Sequence, residues 1–195
     1  MSAAFDESYY RRWYGHAKTR AYTQADKDVE AGFVLSYLAH LAVPVKSVVD
    51  IGCGLGHWRT ALHKINPAIK YTGVEVSAFA CQRFGWVHAS ADTYKPRQKF
   101  DLVICQQVLQ HLDNKQCAQA LAYMASYCRG ALFLQVATKG DWDGDVIDKK
   151  RSEKHDYLRT GAWYRRQLAP HFINVGGGLF LARSAGIPLF ELDAL

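Results

Sequence analysis

Residues 48–58 read Val-Val-Asp-Ile-Gly-Cys-Gly-Leu-Gly-His-Trp: an apolar run, an acidic residue inside it, and three glycines at alternate positions. Val48, Val49 and Ile51 suit a strand buried on both faces of a parallel sheet. Gly52, Gly54 and Gly56 let the chain turn sharply and approach a ligand with no Cβ in the way. Residues 57–66 read as a helix, because Trp58, Ala61, Leu62 and Ile65 fall on one face. Strand, glycine loop and helix N-terminus together make a ligand crevice at the carboxyl end of a sheet.

The spacing differs from the dinucleotide fingerprint, which sets its glycines G-x-G-x-x-G so that a helix N-terminus carries a pyrophosphate. Here the pattern is Asp50-x-Gly52-x-Gly54-x-Gly56, with a carboxylate two residues before the first glycine. That charge repels phosphate and suits a cationic or amino-bearing ligand. A nicotinamide dehydrogenase is therefore disfavoured.

Around this stretch, strands and helices alternate. Upstream, Thr23 and Asp26 form a capping box for a helix with Val29, Phe33, Tyr37 and Leu41 on its apolar stripe, and Pro44 ends it. Downstream, strands are expected at 69–76, 86–89, 100–105 and 131–137. Helices are expected at 77–84 and from Lys115, the latter with Cys117, Leu121, Met124 and Cys128 at helical spacing. Such alternation argues for a parallel sheet covered on both faces. The end breaks the pattern. Residues 171–175 and 179–183 are joined only by Gly176-Gly177-Gly178, too short for a crossover, so they form an antiparallel hairpin.

Glu75 ends the second strand about 20 residues after the glycine loop, where a carboxylate can accept hydrogen bonds from both hydroxyls of a ribose. The fourth strand, Phe100-Asp101-Leu102-Val103, runs into Val108-Leu109-Gln110-His111-Leu112. With the acidic glycine loop and the hairpin, these stretches resemble the class I S-adenosylmethionine-dependent methyltransferases over roughly residues 44–185. The resemblance implies a single three-layer α/β Rossmann-like domain with a seven-stranded, mostly parallel sheet whose last strand is antiparallel. It implies an N-terminal helical lid at 1–43 and a cofactor-binding core at 44–195 with an insertion near 138–165.

It further implies S-adenosylmethionine as cofactor and S-adenosylhomocysteine as product. Gly52, Gly54 and Gly56 would cradle it, and Glu75, followed by Val76, would take its ribose. Asp92 would receive the adenine amino group, with backbone near Ala91 against the ring. Asp50 and the Gln106 carbonyl would hold the methionine ammonium. His111 is either a general base, its ordinary pKa being near 6.5, or a residue packing the turn.

Two segments outside the common core are expected to set the acceptor. The first is the aromatic run from Tyr9 to His16, with Tyr10 and Tyr14 facing a sulfonium or else packing on the core. The second lies after the fifth strand: Tyr157, Arg159, Trp163 and Tyr164 are candidates for a substrate pocket, beside His155 and Asp156. The aspartates at 141, 143, 145 and 148 lack the glycine and glutamate positions of a calcium loop and read as a solvated acidic face.

Composition narrows the classes. Five cysteines without a C-x-x-C pair argue against a disulfide framework or a structural zinc site, and no metal is expected. A net charge of +6 permits an anionic partner, but the basic residues are scattered in short groups. Cys105-Gln106-Gln107-Val108 stands where base-amine methyltransferases of nucleic acids carry Asn/Asp-Pro-Pro-aromatic, which argues against that chemistry. With no apolar run long enough to span a bilayer and no secretory h-region, a cytoplasmic protein without membrane contact is expected. The reading is methyl transfer to a small molecule, on oxygen, nitrogen or carbon. The alternatives are an RNA or protein methyltransferase and a non-catalytic cofactor-binding module.

Overall fold

The first strand, β1 (Ser47–Ile51), is an interior strand of a seven-stranded sheet. The computed structural model describes residues 5–15, 19–20, 22–149 and 157–194. Next to β1 run β2 (Lys70–Glu75) on one side and β4 (Phe100–Gln106) on the other, both parallel to it. With β3 (Val87–His88), β5 (Cys128–Gln135), β6 (Phe172–Asn174) and β7 (Leu179–Ala182), the order is β3-β2-β1-β4-β5-β7-β6. Only β7 is reversed, paired antiparallel to both β5 and β6. The strand order changes direction between β1 and β4, the point at which a doubly wound sheet opens a crevice above its carboxyl ends.

Period-two alternation divides the sheet residues between two cores. Val48, Leu102, Ile104, Ala131 and Phe133 face α2 (Gln24–His40) and α3 (His57–Ile65). Val49, Val103, Cys105, Leu132 and Leu134 face α5 (Asn114–Tyr127) and α7 (Gly161–Leu168). Short helices α1 (Glu7–Tyr10), α4 (Ala78–Phe84) and α6 (Lys139–Asp143) complete the chain. The ends are chemically marked: Thr23 with Asp26 and Asp113 with Gln116 form reciprocal capping boxes at α2 and α5.

Three expectations need correction. The buried stripe of α2 is Lys27, Ala31, Val34 and Leu38, whereas Val29 is 75% and Phe33 46% exposed. The expected stripe divides: Val29 and Phe33 border a cavity, whereas Leu41 is buried in the core and Tyr37 packs against it. The buried stripe, through Ala31, Val34 and Leu38, packs with the β1–β4 core residues. Ile65 is half exposed at the last turn of α3. Cys128 is extended and opens β5, so α5 ends one residue earlier.

Asp101 shows how the strand bases are tied. Its Oδ2 accepts from the Lys46 and Ser47 amides at 2.9 and 2.8 Å, and its Oδ1 accepts from Arg129 Nε at 2.7 Å. Burial alone would raise this carboxyl, but Arg129, the Lys46 amide and Ser47 outweigh it and hold the pKa below the usual aspartate range. The stabilisation is therefore full above about pH 4 and is lost as pH falls through the lowered pKa. Asp101→Asn should cost about 2–3 kcal/mol at pH 7 and flatten the acid limb of the stability curve. Urea denaturation between pH 3 and 7 checks both; an unchanged acid limb would remove Asp101 from this role.

Candidate functional site

Above the carboxyl ends of β1, β2 and β4 lies one cavity of about 1320 Å³. A pocket for one ligand spans roughly 300–1,000 Å³, so this one has room for two. Its floor is the glycine loop. Gly52 has φ +75°, and a Cβ there would lie 2.3 Å from Val108 Cγ2; Gly56, φ +78°, would meet Trp86 at 2.7 Å. Both glycines are required by conformation and by space.

Glu75 clamps this loop. Its Oε2 accepts from the Gly54 amide at 2.8 Å, and its Oε1 accepts from the Val76 and Ser77 amides at 2.8 and 3.0 Å. Three of a carboxylate's roughly four acceptor positions are occupied, and the group still borders the cavity.

Asp50 is 2% exposed and accepts from the Tyr71 hydroxyl at 2.6 Å. Burial raises its pKa to about 7, with Tyr71 and Lys27 opposing the shift and Glu75 adding to it. Beside it, Gln106 joins two layers. Its Oε1 accepts from Lys27 Nζ (2.5 Å) and Trp58 Nε1 (3.0 Å), and its Nε2 donates to Glu30 Oε1 (2.8 Å) and Gln135 Oε1 (2.6 Å). The Gln106 side chain is thereby fully used in docking α2 over the sheet. Lys27, 3% exposed, also meets Glu30 Oε2 at 2.5 Å and lies over the Tyr22 ring at 4.1 Å. Desolvation lowers its pKa despite Glu30.

The aromatic N-terminus closes the opposite wall. Tyr10 is buried, Tyr14 stacks on His57 at 5.9 Å, and both line the cavity. The Phe5 carbonyl accepts from Ser77 Oγ at 2.5 Å, tying this segment to the β2 turn. His16, in the same aromatic run, lies outside the described residues, as do His155 and Asp156. After β4 the chain turns through Gln107, a non-glycine residue at φ +56°, which delivers Gln110 and His111 to the cavity. The Phe5 ring stands edge-on to His111 at 5.7 Å.

The cavity thus brings together Asp50, Gly52, Gly54, Glu75, Val76, Ala91, Gln106, His111, Tyr10, Tyr14 and Tyr157. It does not take in the rest. Asp92 is off the lining, its carboxylate accepting from Ser90 Oγ. Arg159, 6% exposed, spends its guanidinium on the Leu109, Leu112 and Tyr157 carbonyls and on Asn114 Oδ1 at 2.8 Å. It fastens the turn that carries Gln110 and His111, and it is not on the cavity wall. Tyr164 is buried against Arg159, and Trp163 packs on the α5 core. In the acidic stretch, Asp143 and Asp145 pair with Lys139 and Lys149 at 2.6 Å, and Asp141 caps α6.

Sequence reasoning missed Lys27, Glu30, Tyr22, His57, Trp58 and Gln110, all on the lining. One signal was present: Lys27 begins the otherwise apolar helical row Lys27-Ala31-Val34-Leu38, an unusual place for an ammonium.

No curated protein matches the chain at the sequence level. Among solved structures it is similar to magnesium protoporphyrin IX methyltransferase from Synechocystis PCC 6803 with bound S-adenosylhomocysteine, at 19% identity and a TM-score of 0.64, covering 93% of this chain and 95% of that one. It is similar to the N-methyltransferase NodS from Bradyrhizobium japonicum WM9 at 18% identity and a TM-score of 0.56, covering 80% and 87%. The plantazolicin methyltransferase BpumL aligns at 14% identity with a TM-score of 0.60 over 76% of this chain, which spans only 64% of BpumL. The family described as "Methyltransferase domain" matches residues 24–175. The chain belongs to that family of methyltransferase domains, and it has the Rossmann-like fold of the structures above.

Proposed function

We propose that this protein transfers the methyl group of S-adenosylmethionine to a small organic molecule. The observation that carries the reading is Glu75, a buried carboxylate bordering the cavity while holding the glycine loop open beneath it. The residues fit the cofactor. Gly52 and Gly54 give a floor without side chains, Glu75 retains an acceptor position for a ribose hydroxyl, and Val76 and Ala91 offer an apolar edge to an adenine. Asp50 supplies the negative charge an ammonium needs, and Lys27 is the one lysine on the described lining for the carboxylate of the same amino acid. Asp92 is left out of this set, since its carboxylate is turned to Ser90.

When bound, the cofactor supplies an already activated electrophilic methyl group. The protein's task is then to orient the acceptor, exclude water and handle a proton. Tyr10, Tyr14 and Tyr157 exclude water and favour a cationic centre through their ring faces. His111, on the lining beside Phe5, is the candidate for taking a proton from the acceptor. A small-molecule acceptor is favoured over RNA or protein because the ligand space is a cavity under an aromatic cover, not an open basic groove.

Two measurements test the cofactor site. Glu75→Ala should weaken S-adenosylhomocysteine binding by about 1–3 kcal/mol, and lower the melting temperature too, because three backbone amides lose their acceptor. Calorimetry showing unchanged affinity would contradict the ribose assignment. Second, a cationic ammonium beside Asp50 favours the ionised carboxylate, whose ligand-free pKa is about 7. Binding should then expel a proton at pH 6 and tighten as pH rises to about 7, with no release at pH 8.5. Titrations in buffers of different ionisation heat read this directly. Release that persists in Asp50→Asn would assign the proton elsewhere.

A further inference from the structure

The charge on the cavity wall is opposite to that of the protein. The chain carries a net charge of +6. Yet the described lining holds the carboxylates Asp26, Glu30, Asp50, Glu75, Asp113 and Asp148, no arginine, and a single lysine. That lysine, Lys27, is already bonded to Glu30 and Gln106, and it is the partner left for the cofactor's carboxylate. His57 adds no firm charge, because burial first and Lys27 second lower its pKa. Among the described residues, an anionic acceptor would meet a negative field with no cation beyond Lys27 to receive it, and unfavourable juxtapositions of this kind cost several-fold to many-fold in affinity.

A second observation is independent of the charges. Gln110 is 1% exposed, lines the cavity, and its Oε1 has no hydrogen-bond partner among the described residues. Its Nε2 donates to Gln107 Oε1 at 3.1 Å, and its backbone carbonyl accepts from the Tyr157 amide at 3.2 Å. Of its side-chain polar atoms, Oε1 is the one with no partner among the described residues. Buried acceptors are rarely left unmatched, and this one calls for an N–H or O–H donor from a ligand. Its position is imposed: the left-handed Gln107 begins the turn, and Arg159 holds the Leu109 and Leu112 carbonyls on either side of Gln110.

We propose that the methyl acceptor is an amine, cationic in solution, whose N–H is received by Gln110 and whose charge is matched by the acidic, aromatic wall. This rests on the methyltransferase reading above. Transfer to nitrogen balances without another reactant. The amine, having passed one proton to His111, the base candidate on the lining, forms the N–C bond with its lone pair as the donor's C–S bond breaks. The sulfur keeps that bond's electron pair, and the methylated ammonium is the product.

The test uses the full chain loaded with S-adenosylhomocysteine and three matched probes: 2-phenylethylamine, 2-phenylethanol and 3-phenylpropionate. Loading is measured first, so that failure of the cofactor reading is seen separately. The amine should bind at least about tenfold more tightly than the carboxylate and the alcohol. Gln110→Leu should lose that preference with S-adenosylhomocysteine affinity unchanged, whereas Gln110→Glu, which keeps an acceptor oxygen, should retain it. Equal or tighter binding of the carboxylate or alcohol, or a Gln110→Leu protein with the wild-type preference, would overturn the amine assignment while leaving the cofactor reading intact.

Discussion

One carboxylate organises the site. Glu75 stands at the end of β2 and accepts three backbone N–H groups, from the glycine loop after β1 and from its own turn. Charge-assisted bonds of this sort are stronger than neutral ones, and here they are made by a carboxylate that is 5% exposed. Remove the carboxylate, and the Gly54 amide has nothing to hold it. The left-handed Gly52 and Gly56 allow the loop its path, but a permitted path is not a maintained one. Glu75 maintains it, and the same residue borders the cavity in which we propose that it receives a ribose.

The rest of the site follows from how the cavity is roofed. Gln106 uses all of its side-chain hydrogen-bonding groups to join α2, α3 and β5 at the sheet's carboxyl edge. This lets α2 carry Ala31, Val34 and Leu38 into the core and turn Val29 and Phe33 toward the ligand space. Arg159 does for the opposite wall what Gln106 does for the roof. By binding the carbonyls of the turn after β4, it converts a loop into a fixed support for Gln110 and His111. Both residues act through their neighbours, which is why neither side chain is free for a ligand.

The architecture was legible because it rests on local signals. The acidic glycine loop, the capping box of Thr23 and Asp26, and the three-glycine link before β7 each have a direct conformational meaning. Asp50, Glu75 and the loop were readable for the same reason. The acceptor side was not. Arg159, Trp163 and Tyr164 lie near the insertion, and sequence position does not reveal that a guanidinium will be absorbed by backbone carbonyls. Likewise Val29 and Phe33 look like core residues when the apolar positions of a helix are divided between the sheet and a cavity. Side chains gathered from distant segments, such as Lys27 with Gln106, come together only through the β1–β4 crossover.

The central claim is that the crevice over β1 and β2 is the cofactor site and that Glu75 reads its ribose. A crystal structure of the protein soaked with S-adenosylhomocysteine tests this most directly. The account predicts density along the glycine loop, a ribose hydroxyl within hydrogen-bond distance of Glu75, and the amino-acid end toward Asp50 and Lys27. Density elsewhere in the molecule, or a ribose turned away from an unmoved Glu75, would contradict it.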